Sequence, residues 1–196
     1  MSYTQVPTYT TNQLITASHA NTYWRDNINE LWPFTAAGDI AYASGAADLT
    51  RLAVGADGYV LRSTGTLPAW EAYERVVHWR IVPKDVSVSV GSGQDYMFIP
   101  SYLNGYNLIS AHAGVDTPSS SGAVTIRINN TTDGVDMLST AITIDANEQT
   151  SYTAATPPVI DTSHDDVATA DRISIYVDTA GTGTKGLVVI LVFALP

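Results

Sequence analysis

Four histidines, nineteen acidic residues and eleven tyrosines are the side chains of this 196-residue protein from which chemistry could be built, and there is no cysteine. The missing cysteine removes any disulfide framework and any thiolate metal site. His19, His78, His112 and His164 stand at no helical or hairpin spacing that would bring two of them onto one metal ion. The densest polar run, Asp161-Thr162-Ser163-His164-Asp165-Asp166, offers carboxylate oxygens to a hard cation. It lacks the glycine and closing glutamate of an EF-hand loop, so it reads as a solvated turn. Gly91-Ser92-Gly93 is the nearest approach to a nucleophile elbow and is expected to be a short turn between two strands. Gly181-Thr182-Gly183 precedes a strand rather than a helix, which excludes a phosphate cradle. Glycoside hydrolysis needs two carboxyl groups flanking a sugar cleft, and none of the acids stands apart from ordinary surface placement. The expectation is no catalytic residue, no metal and no cofactor.

The tyrosines point to binding instead. Tyr96, Tyr102 and Tyr106 gather around the loop from Pro100 to Asn107, where their rings suit stacking against a glycan or another receptor. The competing reading packs those rings on strand ends or in a subunit interface with their hydroxyls wet.

The elements that would carry these residues are mostly strands. Charged residues make up only 14% of the chain, and Thr, Ser, Ala, Val and Gly dominate, which favours a mainly β fold. Nine basic residues against nineteen acidic give a net charge of -10, which excludes a surface that tracks nucleic-acid phosphates. Residues 76–196 hold about eight strand-like segments, one of them at 86–90. Many alternate apolar with polar, as in Val124, Ile126, Ile128 and in Ile173, Ile175, Val177. This predicts an antiparallel jelly-roll-like β-sandwich as the C-terminal head domain. Its last segment, Gly186 to Leu195, is about half the ~20 residues a bilayer-spanning helix requires. It reads as a central strand too apolar to face water on either side.

Before the sandwich, residues 1–34 form an arm followed by a helix. The arm, 1–15, is either a disordered terminus or a segment that orders against another protein. Ala17, Ala20, Trp24, Ile28 and Leu31 recur at helical spacing, which predicts a helix over 17–31 with Thr16 as N-cap and Pro33 beyond its end. Ala17, Trp24 and Leu31 share one heptad position, and Asn21 and Ile28 share the other. This short seam is covered either by the chain's own sheet or by a symmetry mate. Residues 35–75 read as a thin β stem, with short apolar runs broken by glycine. Its apolar residues are too few for a private core, so Ile40, Tyr42, Leu52, Leu61 and Trp70, with Ala17, Trp24, Ile28 and Leu31, are the expected interface of a homotrimer.

The segment Ile15-Thr16-Ala17-Ser18-His19-Ala20-Asn21-Thr22-Tyr23-Trp24-Arg25-Asp26-Asn27 is followed by Gly38-Asp39-Ile40-Ala41-Tyr42-Ala43, then Arg51-Leu52-Ala53-Val54-Gly55-Ala56-Asp57-Gly58-Tyr59-Val60-Leu61, then Pro68-Ala69-Trp70. Taken as a set over residues 15 to 71, these resemble the N-terminal part of tailed-bacteriophage fibre and minor virion structural proteins. The ending from Asp171 to Val189 resembles the closing hairpin of phage structural β-domains. The resemblance implies a virion protein, made in the host cytoplasm without a signal peptide or membrane insertion. The arm and helix would attach it to other virion proteins of the tail, capsid or portal region. It would be a short trimeric fibre or spike, tail- or head-mounted, whose sandwich meets a host-surface glycan or protein. A decoration protein that clamps the capsid lattice and a spike enzyme that degrades polysaccharide are the two alternatives.

Overall fold

Thr16 starts the helix as its type and place predict: its backbone is extended and its hydroxyl accepts from the His19 amide at 3.3 Å. The computed structural model describes residues 6–30, 32–46 and 48–196, in two compact units, Met1–Glu71 and Ala72–Pro196. In the first unit, α1 (Ala17–Ala20) runs into a π-helical turn, Asn21–Asp26, and then into α2 (Asn27–Glu30). The i→i+5 bonding of the π turn rotates α2 off a 3.5-residue period, so the heptad seam expected from residue spacing is not continuous. Trp24 and Ile28 are 46% and 64% exposed, while His19, Tyr23 and Asn27 take the covered side. Leu31 lies outside the described residues. Of the arm, residues 6–15 form neither helix nor strand, and Tyr9 sets its ring 6.0 Å from His19, which in turn lies 5.9 Å from Tyr23.

Two small antiparallel sheets complete this unit: β1 (Ile40–Gly45) with β2 (Asp48–Leu52), and β3 (Tyr59–Ser63) with β4 (Pro68–Ala72).

The second unit is a β-sandwich. Its strands are β5 (Arg75–Ser87), β6 (Gly91–Phe98), β7 (Tyr106–Gly114), β8 (Val124–Asn130), β9 (Val135–Asp136), β10 (Leu138–Thr140), β11 (Ile142–Ile144), β12 (Val159–Ile160), β13 (Asp166–Val167), β14 (Arg172–Ala180) and β15 (Lys185–Ala194). One sheet has the order β5-β15-β7-β13, the other β6-β14-β8-β11, with β9 pairing on β8. Leaving aside the short β9, β10 and β12, the chain crosses between the sheets at every step except β8 to β11, which is the eight-stranded jelly-roll order. The expected fold class therefore holds. One core joins the sheets: Ile126, Ile128, Ile173 and Ile175 from one meet Leu108, Leu187, Leu191 and Phe193 from the other, all 0% exposed. The long strands β5 and β6 each close one side of a sheet, and the two- and three-residue strands β13 and β11 close the opposite sides.

Three local expectations are corrected. The segment at 86–90 is not a strand of its own, because its start is the end of the thirteen-residue β5. There Val82 pairs with Leu187 but Ser87 with Lys185, so the residues between bulge out and Asp85 takes φ 65°. Gly91 opens β6 rather than sitting in a turn. In β15, Leu187, Val189, Leu191 and Phe193 are buried, but Val188, Ile190 and Val192 are only half-buried on the outer face. Hydrogen bonds to β5 and β7 on both sides make β15 central, while its outer face still meets solvent.

Candidate functional site

The first unit is held by polar and glycine contacts rather than by a core. Arg51 grips Asp39 with both arms of its guanidinium, Nε to Oδ2 at 2.6 Å and Nη2 to Oδ1 at 3.0 Å, and the amides of Thr35 and Ala36 donate to the same carboxylate at 2.8 Å. The Arg51 hydrogen bonds hold the Asp39 carboxyl far below the usual carboxylate range, against the opposing pull of burial. The Trp70 ring lies directly on Gly55, where an added Cβ would sit 2.6 Å from Cδ2, and its indole N–H donates to the Ala53 carbonyl at 2.7 Å. Gly58, at φ 76°, makes the turn that delivers β3.

No described apolar residue of this unit is buried. Ile40, Tyr42, Leu52 and Trp70 are half-buried, Leu61 is exposed, and on the helix Ala17, Trp24 and Ile28 are exposed. Trp70 thus has a contact of its own within the chain, which spacing alone did not show.

The three tyrosines of the expected receptor contact do not act together. Tyr106 is only 8% exposed: it begins β7 on the same inward face as Leu108 and belongs to the core, so it is withdrawn as a contact residue. Tyr96 stands on the outside of β6, edge-on to Phe98 at 5.6 Å, with the Arg172 guanidinium 4.2 Å from its ring centre. Tyr102, in the 3-10 turn Ser101–Leu103, is 63% exposed. It lines an open cavity of about 430 Å³ whose other wall is the entry to β5, including Tyr73, Glu74 and Arg75. No motif or spacing signals this cavity, because Tyr73 and Tyr102 meet only through the fold.

Comparison of the chain with protein-family models, with curated proteins and with solved structures gives no match. The chemistry must therefore be read from the side chains themselves. Among the described residues, no three His, Asp or Glu side chains converge to hold a metal ion. His78 and His112 both stand opposite Ile190, one on each flanking strand, so about two strand spacings, roughly 10 Å, separate them. Asp161 instead holds His164, Oδ2 to Nδ1 at 2.9 Å, and its carboxyl is lowered by that hydrogen bond and by the Ser163 amide.

One Ser–His pair does form. Ser151 Oγ lies 3.2 Å from His112 Nδ1, and Tyr152 stacks on the imidazole with ring centres 4.0 Å apart. Ser151 is 2% exposed, and its oxygen already accepts from the Ala113 amide at 3.0 Å, so the pair fastens the 3-10 turn Ser151–Thr153 to β7. Burial lowers the His112 pKa below its ordinary 6.5. The neutral ring is the form the fold accepts. Stability from this contact is complete above about pH 6.5 and is lost as pH falls through the depressed folded value. Titration of the His112 ring by NMR should give a midpoint below the ordinary histidine value of 6.5. A midpoint at or above the ordinary histidine value would contradict it.

Proposed function

We propose that this chain is a non-enzymatic structural protein of a tailed-phage virion: a short homotrimeric fibre or spike, anchored through residues 1–34 and presenting its jelly roll toward the host surface. The observation that carries the reading is the contrast between the two units. The sandwich has a continuous apolar core, whereas the first unit buries no described apolar residue and leaves Trp24, Ile28 and Leu61 in water. A segment of that kind gains its stability when several copies share one interior, and burying each such side chain contributes about 1.5–3 kcal/mol. The module that resembles phage structural proteins supports the reading further, since residues within it contact one another: Arg51 donates to Asp39, and Trp70 packs on Gly55 and donates to the Ala53 carbonyl.

Light scattering on the purified full chain should return the mass of three 20.9 kDa protomers. A monodisperse monomer would sink the trimer. Antibody to the purified protein, viewed on particles by immunogold microscopy, should mark discrete projections. Label spread over the capsid lattice would make it a decoration protein, and unlabelled particles would remove it from the virion. Release of product from host polysaccharide by the purified chain would overturn the non-enzymatic assignment.

A further inference from the structure

The cavity beside Tyr102 lies wholly within the sandwich unit, between the entry to β5 and the turn that precedes β7. At about 430 Å³ it falls in the range of small-ligand clefts. Arg75 is half-buried there and, like Arg172 beside Tyr96, rests on an aromatic ring. Arg51, Arg80 and Arg127 are each spent on carboxylates. Arg75 makes no ion pair with any described residue, and its buried Nε has no acceptor. Its guanidinium instead lies 4.3 Å from the centre of the Tyr73 ring, a cation–π contact that leaves its N–H groups free to donate.

The charges on the wall select the ligand class. Glu74, on a chain of net charge -10, repels an anion, and Arg75 repels a cation. A wholly apolar guest would strip water from both groups and return no hydrogen bonds. An uncharged ring that carries hydroxyls at its rim and C–H groups on its face satisfies all of them. We propose that this cavity binds a neutral saccharide unit, with Arg75 donating to hydroxyl oxygens, Glu74 accepting from hydroxyl groups and the exposed Tyr102 ring stacking on the C–H face. This deepens the proposed function by giving the host-surface contact a chemical class, and it rests on that reading only for its biological setting.

Saturation-transfer NMR on the full chain, with the methyl glycosides of glucose, galactose, mannose, rhamnose and N-acetylglucosamine at millimolar concentration and glucuronate as the anionic control, tests it. At least one neutral glycoside should bind and glucuronate should not. Tyr102→Ala and Arg75→Ala should each weaken that binding about tenfold or more. Tyr152→Ala, equally exposed but away from the cavity, should leave it unchanged. No transfer to any neutral glycoside, preference for glucuronate, or full binding by both cavity variants would overturn the proposal. Because Tyr102 is 63% exposed, Tyr102→Ala should keep the parental melting temperature, which separates lost binding from lost fold. Failure of the immunogold experiment with saccharide binding intact would remove the virion setting and leave the site. The reverse outcome would remove the site alone.

Discussion

Replacing Phe193 by alanine should lower the stability of the sandwich by about 3–5 kcal/mol. Phe193 is 0% exposed in β15, between Arg75 of β5 and Leu108 of β7 in register, and its ring fills the interior shared by both sheets. A loss of that size is a large fraction of the about 5–15 kcal/mol that holds a typical domain together. Urea denaturation followed by far-ultraviolet circular dichroism measures it, with Val159→Ala, at a 51% exposed position, as the reference expected within about 0.5 kcal/mol of the parent. A cost below about 1 kcal/mol for Phe193→Ala would mean that the core is looser than a jelly roll with this burial pattern should be.

The second large effect belongs to the first unit. Gly55→Ala adds one methyl group, yet its Cβ would stand 2.6 Å from the Trp70 ring, so the indole must leave its seat and give up its bond to Ala53. Overpacking and the lost hydrogen bond together should cost about 2–4 kcal/mol. The Trp70 indole N–H resonance should lose its protection from hydrogen exchange while the sandwich amides keep theirs. The clash depends on the ring, so Gly55→Ala combined with Trp70→Ala should be no worse than Trp70→Ala alone. Full additivity of the two substitutions would show that Gly55 serves some other end.

How far the fold was legible depended on which signal each residue carried. Val124, Ile126 and Ile128 alternate with Thr125, Arg127 and Asn129, and a period of two leaves one choice of inner face, so the sandwich could be read. In Leu187-Val188-Val189-Ile190-Leu191-Val192-Phe193 every position is apolar, so pattern could not show that 188, 190 and 192 look outward. Tyr106 misled because a phenol suits a wet rim and a core equally well, and only its place in β7 decides between them. The helix was legible from its cap and its spacing, but a π turn leaves no mark in residue type. The pairing of Asp39 with Arg51, the seat of Trp70 on Gly55 and the walls that Tyr102 and Arg75 share are all contacts between residues distant in the chain. Such contacts come from topology, and composition or local spacing does not announce them.

The closing strands of the two sheets bear on how closely such molecules can be crowded. An open strand edge invites the edge of another molecule, and long flat edges seed fibrils. Here two of the four edges are strands of two and three residues, too short to template a neighbour. The long β5 edge carries Pro83, Lys84 and the Asp85 bulge, and β6 begins Gly91 through Gly93 with Asp95 beyond. These are devices that spoil edge-to-edge docking. Many sandwiches can therefore stand side by side at high local density and stay separate molecules instead of zipping into a filament.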